Sequence, residues 1–164
     1  MLEPTVIPYQ AYLRELGGWL DERAVSAVAI LEAPTGFVVT YESGDTGQPK
    51  LIEKFFLFRD LERTAREGGR TVRRQSEVKS SALSREPGGY RNLLRAIGHD
   101  LQEQAAHSIV IDEVGTQLLL TYQVILPSKG YGGFKRVRVL GPSERQALRA
   151  KARKRRQRWW KLRA

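Results

Sequence analysis

Tyr9–Glu42, YQAYLRELGGWLDERAVSAVAILEAPTGFVVTYE, and Tyr90–Gln123, YRNLLRAIGHDLQEQAAHSIVIDEVGTQLLLTYQ, align without a gap at an offset of 81 residues, and 12 of the 34 positions are identical. The identities include Tyr9/Tyr90, Leu13/Leu94, Gly17/Gly98, Leu20/Leu101, Ile30/Ile111, Glu32/Glu113 and Tyr41/Tyr122. An internal repeat of this kind governs the architecture, because each copy builds the same supersecondary unit. Residues common to both copies read as scaffold, so function is expected where the copies differ.

Working outward, Tyr9, Leu13, Leu16 and Leu20 step by four, three and four, as do Tyr90, Leu94, Ile97 and Leu101. That spacing puts each set on one buried face of a helix. Gly17 and Gly98 fall inside these helices, where glycine costs about 1 kcal/mol relative to alanine. Both copies accept that cost, which predicts a close approach of helix to sheet. Two β-rich runs follow in each copy, AVAILE and GFVVTYES against SIVIDE and QLLLTYQVIL, divided by Pro-Thr-Gly or Gly-Thr turns.

After a Gly-rich loop comes a third strand, expected over Lys54–Phe58 and Lys135–Val139. Period-two reading turns Phe56, Phe58, Val137 and Val139 inward, and Phe55, Leu57, Arg136 and Arg138 outward. An outward Phe55 and Leu57 predict a cover, supplied by the other copy, the tail or a second chain. A helix then closes each copy. The first is read with Asp60 as its N-cap, and the second opens with a capping-box pattern at Ser143 and Gln146. The expected fold is α+β: a tandem duplication of an α-β-β-β-α unit with antiparallel sheets, a pseudo-twofold and a basic C-terminal helix. Residues 1–69 form the first copy, 70–89 a linker, 90–142 the second copy and 143–164 the tail.

Cysteine is absent, which excludes disulfides, thiolate nucleophiles and thiolate metal sites. No apolar run approaches the ~18 residues of a membrane span, and MLEPTVIP lacks the basic start and apolar stretch of a secretory signal. A cytoplasmic location is expected. No GxxxxGK[ST] loop, GxSxG elbow or HExxH helix occurs. His99 and His107 read as surface or capping residues, and Glu32 and Glu113, with Asp112, as solvating a turn at a strand end. Hence no catalytic residue, metal or cofactor is expected, and the chain reads as a non-enzyme.

The net charge of +10 is confined to one end. Residues 1–144 carry 18 basic and 18 acidic side chains, whereas Arg145–Ala164 has 10 basic and none acidic. Blocks of like charge serve as tails for polyanions. Arg145/Arg149, Arg149/Arg153, Lys151/Arg155 and Lys154/Arg158 are i,i+4 repulsions of about 0.2–0.5 kcal/mol each. The distal half is therefore expected to fray alone and to order on a polyanion. Arg145, Arg149, Lys151, Arg153, Lys154, Arg155, Arg156, Arg158 and Lys161 are the candidate phosphate contacts, and Trp159 and Trp160 suit base stacking or a membrane interface. The alternative place for both tryptophans is the Phe55–Leu57 face.

The loop KGYGGFKRV, Lys129–Val137, resembles the RNP1 signature of RNA-recognition motifs, with an extra glycine before Phe134 and Lys135 at an aliphatic position. Its glycines also suit a plain hairpin loop. Lys129, Tyr131, Lys135, Arg136 and Arg138 form a second candidate patch. The α-β-β-β-α order is similar to that of double-stranded-RNA-binding domains, although EVGTQ stands where that family has its GPxH loop. The expected function is sequence-independent binding of DNA or RNA through the tail. The alternative is an assembly or chaperone-like adaptor, whose tail docks an acidic partner or anionic membrane and whose Phe55/Leu57 face meets a protein partner or a second copy.

Overall fold

A computed structural model of the chain describes residues 6–23, 25–43, 50–67, 82–125 and 133–163, the side chains of 82, 84, 125, 133 and 155–163 excepted. The elements run α1 (Tyr9–Asp21), β1 (Val25–Ala33), β2 (Gly36–Ser43), β3 (Lys50–Leu57), α2 (Phe58–Glu67), α3 (Ala82–Arg85), α4 (Gly89–Glu103), β4 (Ala106–Val114), β5 (Gln117–Ile125), β6 (Gly133–Leu140) and α5 (Pro142–Arg163). The fold is α+β. Its strands form one antiparallel six-stranded sheet in the order β3-β2-β1-β4-β5-β6, not a separate sheet in each copy. The junction is the pairing of β1 with β4, where Ile30 lies opposite Ile111.

The predicted helix faces, Leu13, Leu16 and Leu20 with Leu94, Ile97 and Leu101, are buried in a single core with Ile30, Phe37, Val39, Ile111, Leu118, Leu120 and Tyr122. The glycines serve a contact other than the expected one. A Cβ on Gly17 would lie 2.6 Å from Arg91 Cα and Tyr90 O, and one on Gly98 would lie 2.6 Å from Tyr9 O. Each glycine thus admits the first turn of the other helix, not the sheet. The same crossing caps both helices. The Asp21 carboxylate accepts Tyr90 N–H at 2.8 Å and Arg91 N–H at 3.0 Å, and Gln102 Oε1 accepts Gln10 N–H at 2.6 Å. Neither Pro8 nor Gly88, the residues preceding these helices, makes a side-chain cap, so the neighbour supplies it. Gly17→Ala and Gly98→Ala are expected to destabilise by about 1–3 kcal/mol each, reversing the usual gain of alanine in a helix. Denaturant unfolding measures this, and an unchanged midpoint would contradict the helix–helix contact.

Glu32 and Glu113 tie the β1–β4 junction and do not solvate turns. Glu113 is buried, accepting the Tyr90 hydroxyl at 2.7 Å and Val28 N–H at 3.2 Å. Glu32 accepts the Tyr9 hydroxyl at 2.9 Å and Ile109 N–H at 2.7 Å. Both amides follow a residue at positive φ, Ala27 at 50° and Ser108 at 53°, where the strand registers shift. Such backbone costs a non-glycine residue about 1–3 kcal/mol, and a carboxylate from the facing strand satisfies the amide that the irregularity frees. Burial, then the Glu32 charge, pushes the Tyr9 phenol far above its ordinary value.

The third strands differ from expectation. β3 starts at Lys50, and Phe58 leaves it to open α2, stacking on Tyr12 at 5.5 Å and edge-on to Phe37 at 5.1 Å. Asp60 therefore lies in the first turn of α2 and is not its N-cap. In β6 the faces are reversed. Buried Leu118, Leu120, Tyr122 and Val124 pair with Leu140, Arg138, Arg136 and Phe134, which places these four on the helix side. Val137 and Val139 lie on the open face, 61% and 52% exposed. Phe55, on the same open face, is 46% exposed, and Leu57 is half-buried, so the cover expected over both is not complete within the described chain.

Candidate nucleic-acid interface

α5 starts at Pro142, one residue before the expected Ser143 cap. Proline suits the first helical position, since its missing N–H has no partner to lose there. Arg145 N–H then closes the first turn on Gly141 O at 3.0 Å. Its body-facing residues are Arg145 and Leu148, both buried, and half-buried Arg149 and Ala152. Ala152 is the last described residue of α5 that packs against the core.

Arg145 is 1% exposed. Its Nε donates to Glu86 Oε1 at 3.0 Å, Nη2 donates to the same oxygen, and Nη1 donates to Thr116 O at 2.9 Å and Leu140 O at 2.8 Å. Arg149 Nη2 adds a 2.6 Å ion pair to Glu86 Oε2. Burial alone raises the Glu86 pKa, but the two guanidinium groups outweigh it and hold the carboxyl below its ordinary value of 4.5. Lys151 Nζ sits 3.0 Å from Glu103 Oε2 and 3.6 Å from Asp100 Oδ1, and Glu103 first, then Asp100, raises its pKa. Arg138 Nη1 donates to Asp100 Oδ2 at 2.6 Å. Burial opposes the Arg138 charge, yet Asp100 outweighs it and raises its pKa.

Four candidate contacts are thus bound to carboxylates of the body: Arg145, Arg149, Lys151 and Arg138. Three of the four i,i+4 repulsions include a cation that a body carboxylate neutralises, and the backbone is helical through Arg163. Arg153 and Lys154 are exposed on α5. The side chains of Arg155, Arg156, Arg158, Trp159, Trp160 and Lys161 lie outside the described residues, as do Lys129 and Tyr131. The second patch is divided by the sheet, with exposed Arg136 on the helix side and exposed Lys135 on the open side.

The anchors of α5 are what sequence reasoning missed. Glu86 stands in the segment read as linker, and Leu83, three residues before it, is fully buried. A pairing across 59 residues leaves no local pattern. His99 Nε2 lies 3.4 Å from Glu103 Oε1, and His107 Nδ1 lies 3.1 Å from Ser108 Oγ. Among the described residues no His/Asp/Glu group is placed to hold a metal, and no helix is long and apolar enough to cross a membrane. Comparison with protein-family models, curated proteins and solved structures finds no match.

Proposed function

We propose that the chain is a duplicated α-β-β-β-α unit arranged about a pseudo-twofold through the Ile30–Ile111 pair, and that this scaffold presents a basic helix for sequence-independent, non-enzymatic binding of nucleic acid. The duplication is supported by contacts that recur at the 81-residue offset. Tyr9–Glu32 matches Tyr90–Glu113, Glu32 to Ile109 N–H matches Glu113 to Val28 N–H, and the Gly17 approach to Arg91 matches that of Gly98 to Gln10.

The nucleic-acid role rests on one observation: carboxylates hold the first half of α5 to the body, while the second half continues past Ala152. At about 1.5 Å per residue, Arg153–Arg163 projects the helix roughly 16 Å further. It carries Arg153, Lys154, Arg155, Arg156, Arg158, Lys161 and Arg163, seven cations without an acid. Such contacts position a protein on phosphates without reading sequence. Arg145, Arg149, Lys151 and Arg138 then serve as anchors of the helix, not as phosphate ligands.

Tryptophan fluorescence tests the reading. Subtracting the signal of a chain cut after Ala152 isolates Trp159 and Trp160 from Trp19. Stacking on single-stranded nucleic acid is expected to quench them. A blue shift with anionic vesicles, and no response to nucleic acid, would assign the helix to a membrane surface instead.

A further inference from the structure

The open face of the sheet goes beyond any role of the tail. Register alone lays out a row across all six strands: Phe55, Val38, Leu31, Val110, Thr121 and Val137. A second row holds Glu53, Thr40, Ala29, Asp112, Leu119 and Val139. The first row is apolar except for Thr121, and Leu31 at its centre is 49% exposed. Antiparallel sheets with one solvated face ordinarily carry polar residues there. Here one row is apolar and is continued by Ala29, Leu119 and Val139, with Thr40, Glu53 and Asp112 between them and Glu42 and Lys135 further along the strands, and the helices packed in the core lie on the other side.

We propose that this face is the interface between two copies of the chain, packed sheet on sheet. Size is the first argument. Six strands at about 4.8 Å and four open-face residues per strand give an area of roughly 600–800 Å². A standard interface buries about 800 Å² per partner. Composition is the second. A two-fold interface must complement itself, and the apolar row of Phe55, Val38, Leu31, Val110 and Val137 does so, in the manner of sheets packed about 10 Å apart.

The segments GDTGQP (44–49), GGRTVRRQSEVKSS (68–81) and LPSKGYG (126–132) are predominantly polar or Gly-rich and thus ill suited to an apolar row. Edge-to-edge pairing is disfavoured, because Lys50, Glu53 and Lys54 on β3 and Lys135, Arg136 and Arg138 on β6 place charges along both edges.

Asp112 supplies a test that misfolding cannot imitate. It lies mid-sheet in the second row, so closing the interface dehydrates its carboxylate. Sedimentation of the full chain, nuclease-treated and at high salt, should show a dimer at micromolar concentration. Leu31→Lys should weaken it by about 100-fold or more with unchanged far-UV circular dichroism. Asp112→Asn should tighten it by roughly 10-fold, a gain of affinity that no damaged fold produces. A natively folded wild-type monomer would overturn the proposal, whether or not another protein occupies the face. So would a dimer indifferent to both substitutions.

Discussion

Arg145→Ala is expected to destabilise the fold by about 3–5 kcal/mol, the cost of breaking a buried ion pair by removing one member. Arg145 is 1% exposed, and its donors are spread over Glu86, Thr116 O and Leu140 O, so the substitution leaves Glu86 with Arg149 alone and takes a donor from two carbonyls at once. In a domain of this size that is a fall in Tm of about 10 °C or more. Arg153→Ala, eight residues on at an exposed site, should stay within about 0.5 kcal/mol. The same pair sets an acid limit. Glu86 titrates below its ordinary 4.5 when folded, so its stabilisation is complete above about pH 4.5 and is lost as pH falls through the lower folded-state value. Thermal unfolding measured from neutral to acid pH should show this loss in the wild type and little of it in Glu86→Gln. A stability of Arg145→Ala within about 1 kcal/mol of wild type would contradict the anchoring of α5.

The second large effect is on affinity and salt. Each phosphate neutralised contributes about −0.9 to the slope of log K against log salt on duplex DNA. Seven cations lie beyond Ala152, and if about five make contact the slope is roughly −4 to −5. Raising salt from about 50 to about 200 mM should then weaken binding by roughly 500-fold. Oligonucleotides of different sequence should differ little, since phosphate contacts carry no sequence information. A slope near zero, or strong preference for one sequence, would contradict backbone binding.

What was legible in the sequence followed from strong local periodicity. The Leu13–Leu20 and Leu94–Leu101 stripes fix their buried faces because a helix repeats its contacts every three or four residues. Gly17 and Gly98 correctly announced a close approach. A glycine states only that space is short, not which element fills it, and here the neighbour was a helix. The third strands failed for a related reason. Alternation in FKRVRVL specifies two faces but not which is inward, and the apolar one was read as core. In β6 it is the arginine face that meets the helices, because Asp100 lies there to receive Arg138. The Glu86 anchor was unreadable, since its partners are 59 residues or more away and no pattern joins them. Counting charge located the tail correctly but could not separate cations bound to the body from those beyond it.

The most direct test of the central claim is the equilibrium affinity for nucleic acid of the full chain against a chain ending at Ala152, which retains Arg145, Leu148 and Arg149. Removing residues 153–164 lowers the net charge from +10 to +3, as 28 basic residues become 21 against 18 acidic. The account predicts loss of most binding, at least about 100-fold at low salt, with unchanged unfolding. A shortened chain that binds as tightly as the full one would contradict it.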